Sequence, residues 1–187
     1  MSEPVSTADA RPTSDHGPAE RRKKRTPKPL AEPSGACERS DIVASPEVVG
    51  TAYAGSLVRF RVRLTTEEMP ACTWTVSSTS LVVKLISGTD RIWSSQDCPS
   101  AVPTRQVVVR KKLAAKVHVT WRGQRSDAEC SRAPEWAQPG WYHVAAAAFG
   151  AEPTDEQFQL VPPVAETITA KPKPQREQQK SENAHRD

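Results

Sequence analysis

The stretch Leu57-Val58-Arg59-Phe60-Arg61-Val62-Arg63-Leu64 decides the fold. Val58, Phe60, Val62 and Leu64 fall on one side of an extended chain, and Arg59, Arg61 and Arg63 fall on the other, the period-two pattern of a strand with one face buried. The same pattern spreads outward in both directions. Cys72, Trp74 and Val76 alternate with Thr73, Thr75 and Ser77, a run from Leu81 to Ile86 follows, and Ser87-Gly88-Thr89-Asp90 reads as a turn. Further strands are expected at Arg91 to Ser94, Arg105 to Val109, Lys116 to Arg122, Trp141 to Phe149 and Gln157 to Leu160. Short strands broken by Gly, Pro and Ser turns predict an all-β, immunoglobulin-like antiparallel β-sandwich. Ala145 to Ala148 intrinsically prefers helix, and Arg110 to Val117 has room for a helical turn, but tertiary pairing overrides preferences this short.

The apolar residues stop where this pattern stops. Met1 to Ala36 is rich in Pro, Ser, Thr and charge, and Pro162 to Asp187 has the same character. Neither buries enough apolar surface to offset its ordering entropy, so disordered tails are expected over 1–36 and 162–187, with one domain over 37–161. Residues 1–36 hold 7 basic and 5 acidic side chains and residues 162–187 hold 5 and 4, leaving 14 and 13 in the middle. Most of the net +4 thus belongs to the tails, and the domain itself is nearly neutral. That balance argues against specific nucleic-acid recognition. The run Arg21-Arg22-Lys23-Lys24-Arg25 is read as an electrostatic membrane contact or juxtamembrane segment. No apolar h-region follows it and no run of about 18 apolar residues occurs, so neither a signal peptide nor a transmembrane helix is expected.

Cys37, Cys72, Cys98 and Cys130 include no Cys-x-x-Cys pair and have no histidine at ligand spacing, which argues for disulfides over zinc. Four cysteines allow three pairings. Cys72 with Cys98, bracketing a strand-turn-strand unit, and Cys37 with Cys130 are the expected bonds. Such bonds point to an oxidising compartment.

No nucleophile motif accompanies His118 or His143, and nothing fixes the spacing of Glu67, Glu68, Asp90, Asp97 and Asp127, which turn chemistry explains better than carboxylate catalysis or calcium binding. No catalytic residue, cofactor or metal ligand is expected. Trp74 and Trp121 sit on apolar faces and are read as core. Gly140-x-Tyr142 fits a tyrosine corner, its hydroxyl bonding back to nearby backbone. The expected contact surface consists of Trp136 and Trp141, in a Pro-rich approach to a strand, together with Arg59, Arg61 and Arg63. The arginines suit an anionic partner such as a phosphate-rich polymer, although the neutral domain favours a solvated strand face.

Ser87-Gly88-Thr89-Asp90-Arg91-Ile92-Trp93-Ser94-Ser95-Gln96-Asp97-Cys98 resembles a motif of actinobacterial cell-envelope proteins of unknown function. Tyr53-Ala54-Gly55, Cys72, Trp121-Arg122-Gly123 and Pro139-Gly140-Trp141-Tyr142 extend the resemblance over about Cys37 to Leu160. It implies a domain held outside the membrane by one helix behind a short basic segment; the basic run is present here and that helix is not. A non-enzymatic interaction or structural module of the cell envelope is the expected function. A looser similarity to the bacterial intracellular proteinase inhibitor, without matched inhibitory residues, supplies the alternative.

Overall fold

A computed structural model describes residues 29–131 and 135–163. The expected tail segments 1–28 and 164–187, with Arg21 to Arg25, lie outside the described residues. Among the described residues ten strands follow in chain order: β1 Ile42–Val48, β2 Ala52–Tyr53, β3 Val58–Thr66, β4 Ala71–Val76, β5 Leu81–Ser87, β6 Asp90–Ser94, β7 Arg105–Arg110, β8 Ala115–Trp121, β9 Gly140–Ala148 and β10 Thr154–Val161. They form a three-stranded sheet β1-β3-β8, a five-stranded sheet β2-β10-β9-β5-β6 and a two-stranded ribbon β4-β7. Every pairing of named strands is antiparallel except that of β10 with the short β2. This is the all-β sandwich that the alternation predicts.

The core forms where the apolar sides of the two larger sheets meet. Val58, Phe60, Val62 and Leu64 of β3 are buried, as are Val117, Val119 and Trp121 of β8. Aromatic rings join the layers: Phe60 meets Phe158 of β10 edge-on at 5.6 Å, Phe158 stacks on Tyr142 of β9 at 5.7 Å, and Tyr142 lies 6.2 Å from Trp121. Thr154 Oγ1 donates to the Ala44 carbonyl at 2.7 Å and ties β10 to β1. The alanine run is strand, because β9 is a central strand paired with both β5 and β10, and those two ladders outweigh helix propensity.

Two strands escape the sequence pattern. β1 runs unbroken through Pro46, which a sheet tolerates at an edge position such as this one, and β2 is only two residues long.

The cysteine pairing differs from the expectation. The bonds are Cys37–Cys72 and Cys98–Cys130, not Cys72–Cys98 and Cys37–Cys130. Although Cys72 and Cys98 bracket a strand-turn-strand unit, β4 pairs with β7 while β6 pairs with β5, so the bracketing residues belong to different layers. The chain entering the domain runs beside β4 instead. Ser34 N–H donates to the Ala71 carbonyl at 3.0 Å, Thr73 N–H to Gly35 at 2.8 Å and Cys37 N–H to Thr73 at 3.0 Å, which sets the Cα atoms of Cys37 and Cys72 5.0 Å apart. Residues 34–36, expected as tail, are therefore paired to the domain.

Candidate functional site

The block that carries the family resemblance occupies the β5–β6 turn, β6 and the loop after it, and its polar residues are aimed at the loop following β8. The turn needs Gly88, whose φ is +58°. Asp90, just past it, accepts two hydrogen bonds from the Arg125 guanidinium, at 2.7 and 2.9 Å. These bonds hold the Asp90 carboxyl below the usual carboxylate range and raise Arg125. Asp97 accepts from Ser126 Oγ at 2.5 Å and, with its other oxygen, from Arg91 at 3.4 Å. Ser126 Oγ accepts in turn from the Ser94 amide at 3.1 Å, and the Ser126 amide donates to Ile92 at 3.0 Å, so the loop lies along the edge of β6.

Inside the block, the buried Ser95 hydroxyl accepts from the Val83 amide at 2.9 Å and the buried Ser94 hydroxyl from Gln96 at 3.1 Å. The loop closes with Cys98–Cys130. There Asp127 caps the turn, its carboxyl held low first by the Ser131 hydroxyl and then by the Ser131 amide at 2.7 Å. Asp127 thus does the turn chemistry expected of it. Asp90 and Asp97 instead make long-range bonds to the loop. The sequence signal was present in the density of Ser and Asp ahead of Cys98, but the positions of their partners Arg125 and Ser126 depend on the fold.

This frame borders a cleft of about 680 Å³, whose lining includes Leu57, Trp93, Trp121, Arg122 and the Cys98–Cys130 bridge. Trp121 is fully buried and its indole N–H donates to the Gln124 carbonyl at 2.7 Å. Gly123 must be glycine for two reasons: its φ is +78°, and a Cβ there would sit 2.9 Å from the Ser56 carbonyl oxygen, with the Trp136 ring in ordinary contact at 3.5 Å. Trp136 and Leu57 flank this point with 49% and 67% exposure. Leu57 and Arg122 were not among the expected contact residues.

The expected contact residues fall on three separate surfaces. Trp136 packs over Gly123 at the cleft end. Trp141, 58% exposed, stands opposite Gln159 on the outer face of the five-stranded sheet, while the neighbouring Tyr142 hydroxyl donates to Gln138 at 2.6 Å in the expected corner. Arg59, Arg61 and Arg63 point outward from the three-stranded sheet, on the opposite side of the sandwich. Of them Arg61 binds Glu47 at 2.8 Å. His143 binds Asp155 at 2.7 Å across β9 and β10, and Asp41 accepts the amides of Glu67 and Glu68 at 2.8 and 2.6 Å.

No family model and no curated protein matches the chain. Among solved structures, a β-glucosidase from Erythrobacter marinus matches with TM-score 0.36 and 14% identity, over 64% of this chain and 15% of that one. A CARDB domain from Pyrococcus furiosus, in complex with di-metal ions, matches with TM-score 0.32 and 11% identity over 74% and 99%. A sporulation control protein from Bacillus subtilis gives 0.36 and 7% over 67% and 50%. Likenesses this loose carry no functional inference.

Proposed function

We propose that this chain is a non-enzymatic interaction module of the bacterial cell envelope, working on the extracytoplasmic side. The observation that carries the reading is the disulfide-closed frame around the end cleft. Asp90, Asp97, Ser94, Ser95 and Ser126 bond to one another, to Arg125 or to backbone, so they position a loop rather than face a reacting group. What the frame leaves outward is Leu57, Trp136 and Arg122, apolar and aromatic surface beside a cation, a combination suited to gripping a partner. Both bridges favour an oxidising milieu. No helix among the described residues is long and apolar enough to cross a membrane.

Fractionation of the native host with an antibody to the domain tests the placement. Recovery with the envelope or the exterior is expected; recovery as soluble cytosolic protein with reactive thiols refutes it.

A further inference from the structure

The arginine row of β3 is one part of a larger basic face. Strand register places Arg63 directly opposite Lys116 of β8, Arg61 opposite His118 and Glu47, and Arg59 opposite Thr120. The outward residues of the three-stranded sheet therefore include Arg59, Arg61, Arg63 and Lys116 against one carboxylate, Glu47, which engages Arg61. Arg105, at the start of β7, adds a further cation at this edge by donating from its guanidinium to the Lys116 carbonyl. Like charges directly opposite each other destabilise a strand pair. Arg63 and Lys116 are such a pair, both exposed, and no carboxylate among the described residues forms a salt bridge with either. A sheet that needed only a soluble face would be better served by mixed signs.

We propose that the outer face of β3 and β8 binds a linear phosphate-bearing polymer along the row Arg59, Arg61, Arg63 and Lys116. The row spans about 14 Å, with guanidinium groups rooted about 7 Å apart on a rigid strand, so successive anionic groups of one extended chain are met in turn. Guanidinium forks suit phosphate oxygens, which they bind through paired hydrogen bonds. Glu47 engages Arg61 from the β1 side, which leaves Arg59 and Arg63 on β3 and Lys116 beside Arg63 on β8 without a salt bridge among the described residues. The positive surface is consequently a stripe rather than a broad disc, which fits a polymer strand better than a membrane plane. The face adjoins the cleft at Thr120, which lies opposite Arg59, but none of the four cations of the row lines the cleft.

The test uses the full-length chain with Arg21 to Arg25 replaced by serine, so that the N-terminal basic run cannot supply the binding. Long-chain inorganic polyphosphate is titrated over a range of salt. Binding is expected, and the triple variant Arg59→Gln, Arg63→Gln, Lys116→Gln should weaken it about tenfold or more and make the log–log salt slope shallower by about 2, at roughly 0.7 per lost contact. Glu47→Gln, which removes the one carboxylate of the face, should tighten binding about two- to threefold and serves if the triple variant does not fold. No binding in the serine background, equal binding by the triple variant, no tightening by Glu47→Gln, or equal affinity for phosphatidylglycerol vesicles at matched phosphate would each overturn the proposal.

Discussion

The two disulfides close loops of nearly the same size, with cysteines 35 and 32 residues apart, yet they fasten different kinds of structure. Cys37–Cys72 lies on backbone pairing: the entry segment runs along β4, and Cys72 is fully buried. Cys98–Cys130 joins two loops whose other ties are mainly side-chain bonds, Arg125 to Asp90 and Ser126 to Asp97; in each bridge one cysteine is buried and the other, Cys37 or Cys130, is partly exposed, and Cys130 has φ +49°. Loop-closure entropy is thus alike for the two, about 3.7 kcal/mol each in the chain-entropy description. What differs is the native side, where one bridge reinforces a ladder and the other holds the wall of a cleft.

The largest effect that sharpens this contrast is on global stability. Replacing Cys37 and Cys72 by serine should lower unfolding free energy by about 4 to 6 kcal/mol, since it removes the loop constraint and puts a hydroxyl at the fully enclosed Cys72, whereas Cys98 keeps some solvent contact. The same change at Cys98 and Cys130 should lower it by about 3 to 4 kcal/mol. Urea unfolding of both variants measures the order, and a reversed order breaks the contrast.

A smaller effect concerns local opening. Each bridge joins one buried and one partly exposed cysteine, but Cys130 sits in a loop tied mainly by side-chain bonds while Cys37 sits on backbone pairing, so graded reduction followed by alkylation should open Cys98–Cys130 first. Simultaneous opening would show that the two bridges share one cooperative unit.

The smallest effect is local and acid-driven. Asp90 and Asp127 titrate lower in the folded chain than unfolded, so their stabilisation is present above the ordinary carboxylate range and is lost as pH falls through their folded-state values. Protection of amides in the loop from Arg125 to Ser131, relative to their intrinsic exchange, should therefore fall below about pH 4, while the protection of Cys37 and Thr73 is kept. Asp90→Asn should abolish part of the acid response. An equal loss of protection at both regions would remove the distinction.

Most of the sandwich was legible because strand alternation is a local property. Val58 to Leu64 announces its own buried face, and the same holds for Val117 to Trp121. β1 was hidden because Ala44, Ser45 and Pro46 carry little strand signal, and its place is set by pairing with β3. Cysteine pairing depends on which strands become neighbours, which spacing along the chain does not encode. The site was legible in the same uneven way. Arg59, Arg61 and Arg63 were visible as a row, but Lys116 joins them only through the register of β3 with β8, and Leu57 reaches the cleft only through the turn that Gly123 abuts.

The central claim is that the working form is the oxidised one, with its cleft and entry segment fixed by two specific bridges. Peptide mapping of protein taken from its native host, alkylated at once and digested without reductant, tests this most directly. The account predicts Cys37 linked to Cys72, Cys98 linked to Cys130 and no alkylated thiol. Four alkylated cysteines, or peptides joining Cys72 to Cys98, would contradict it.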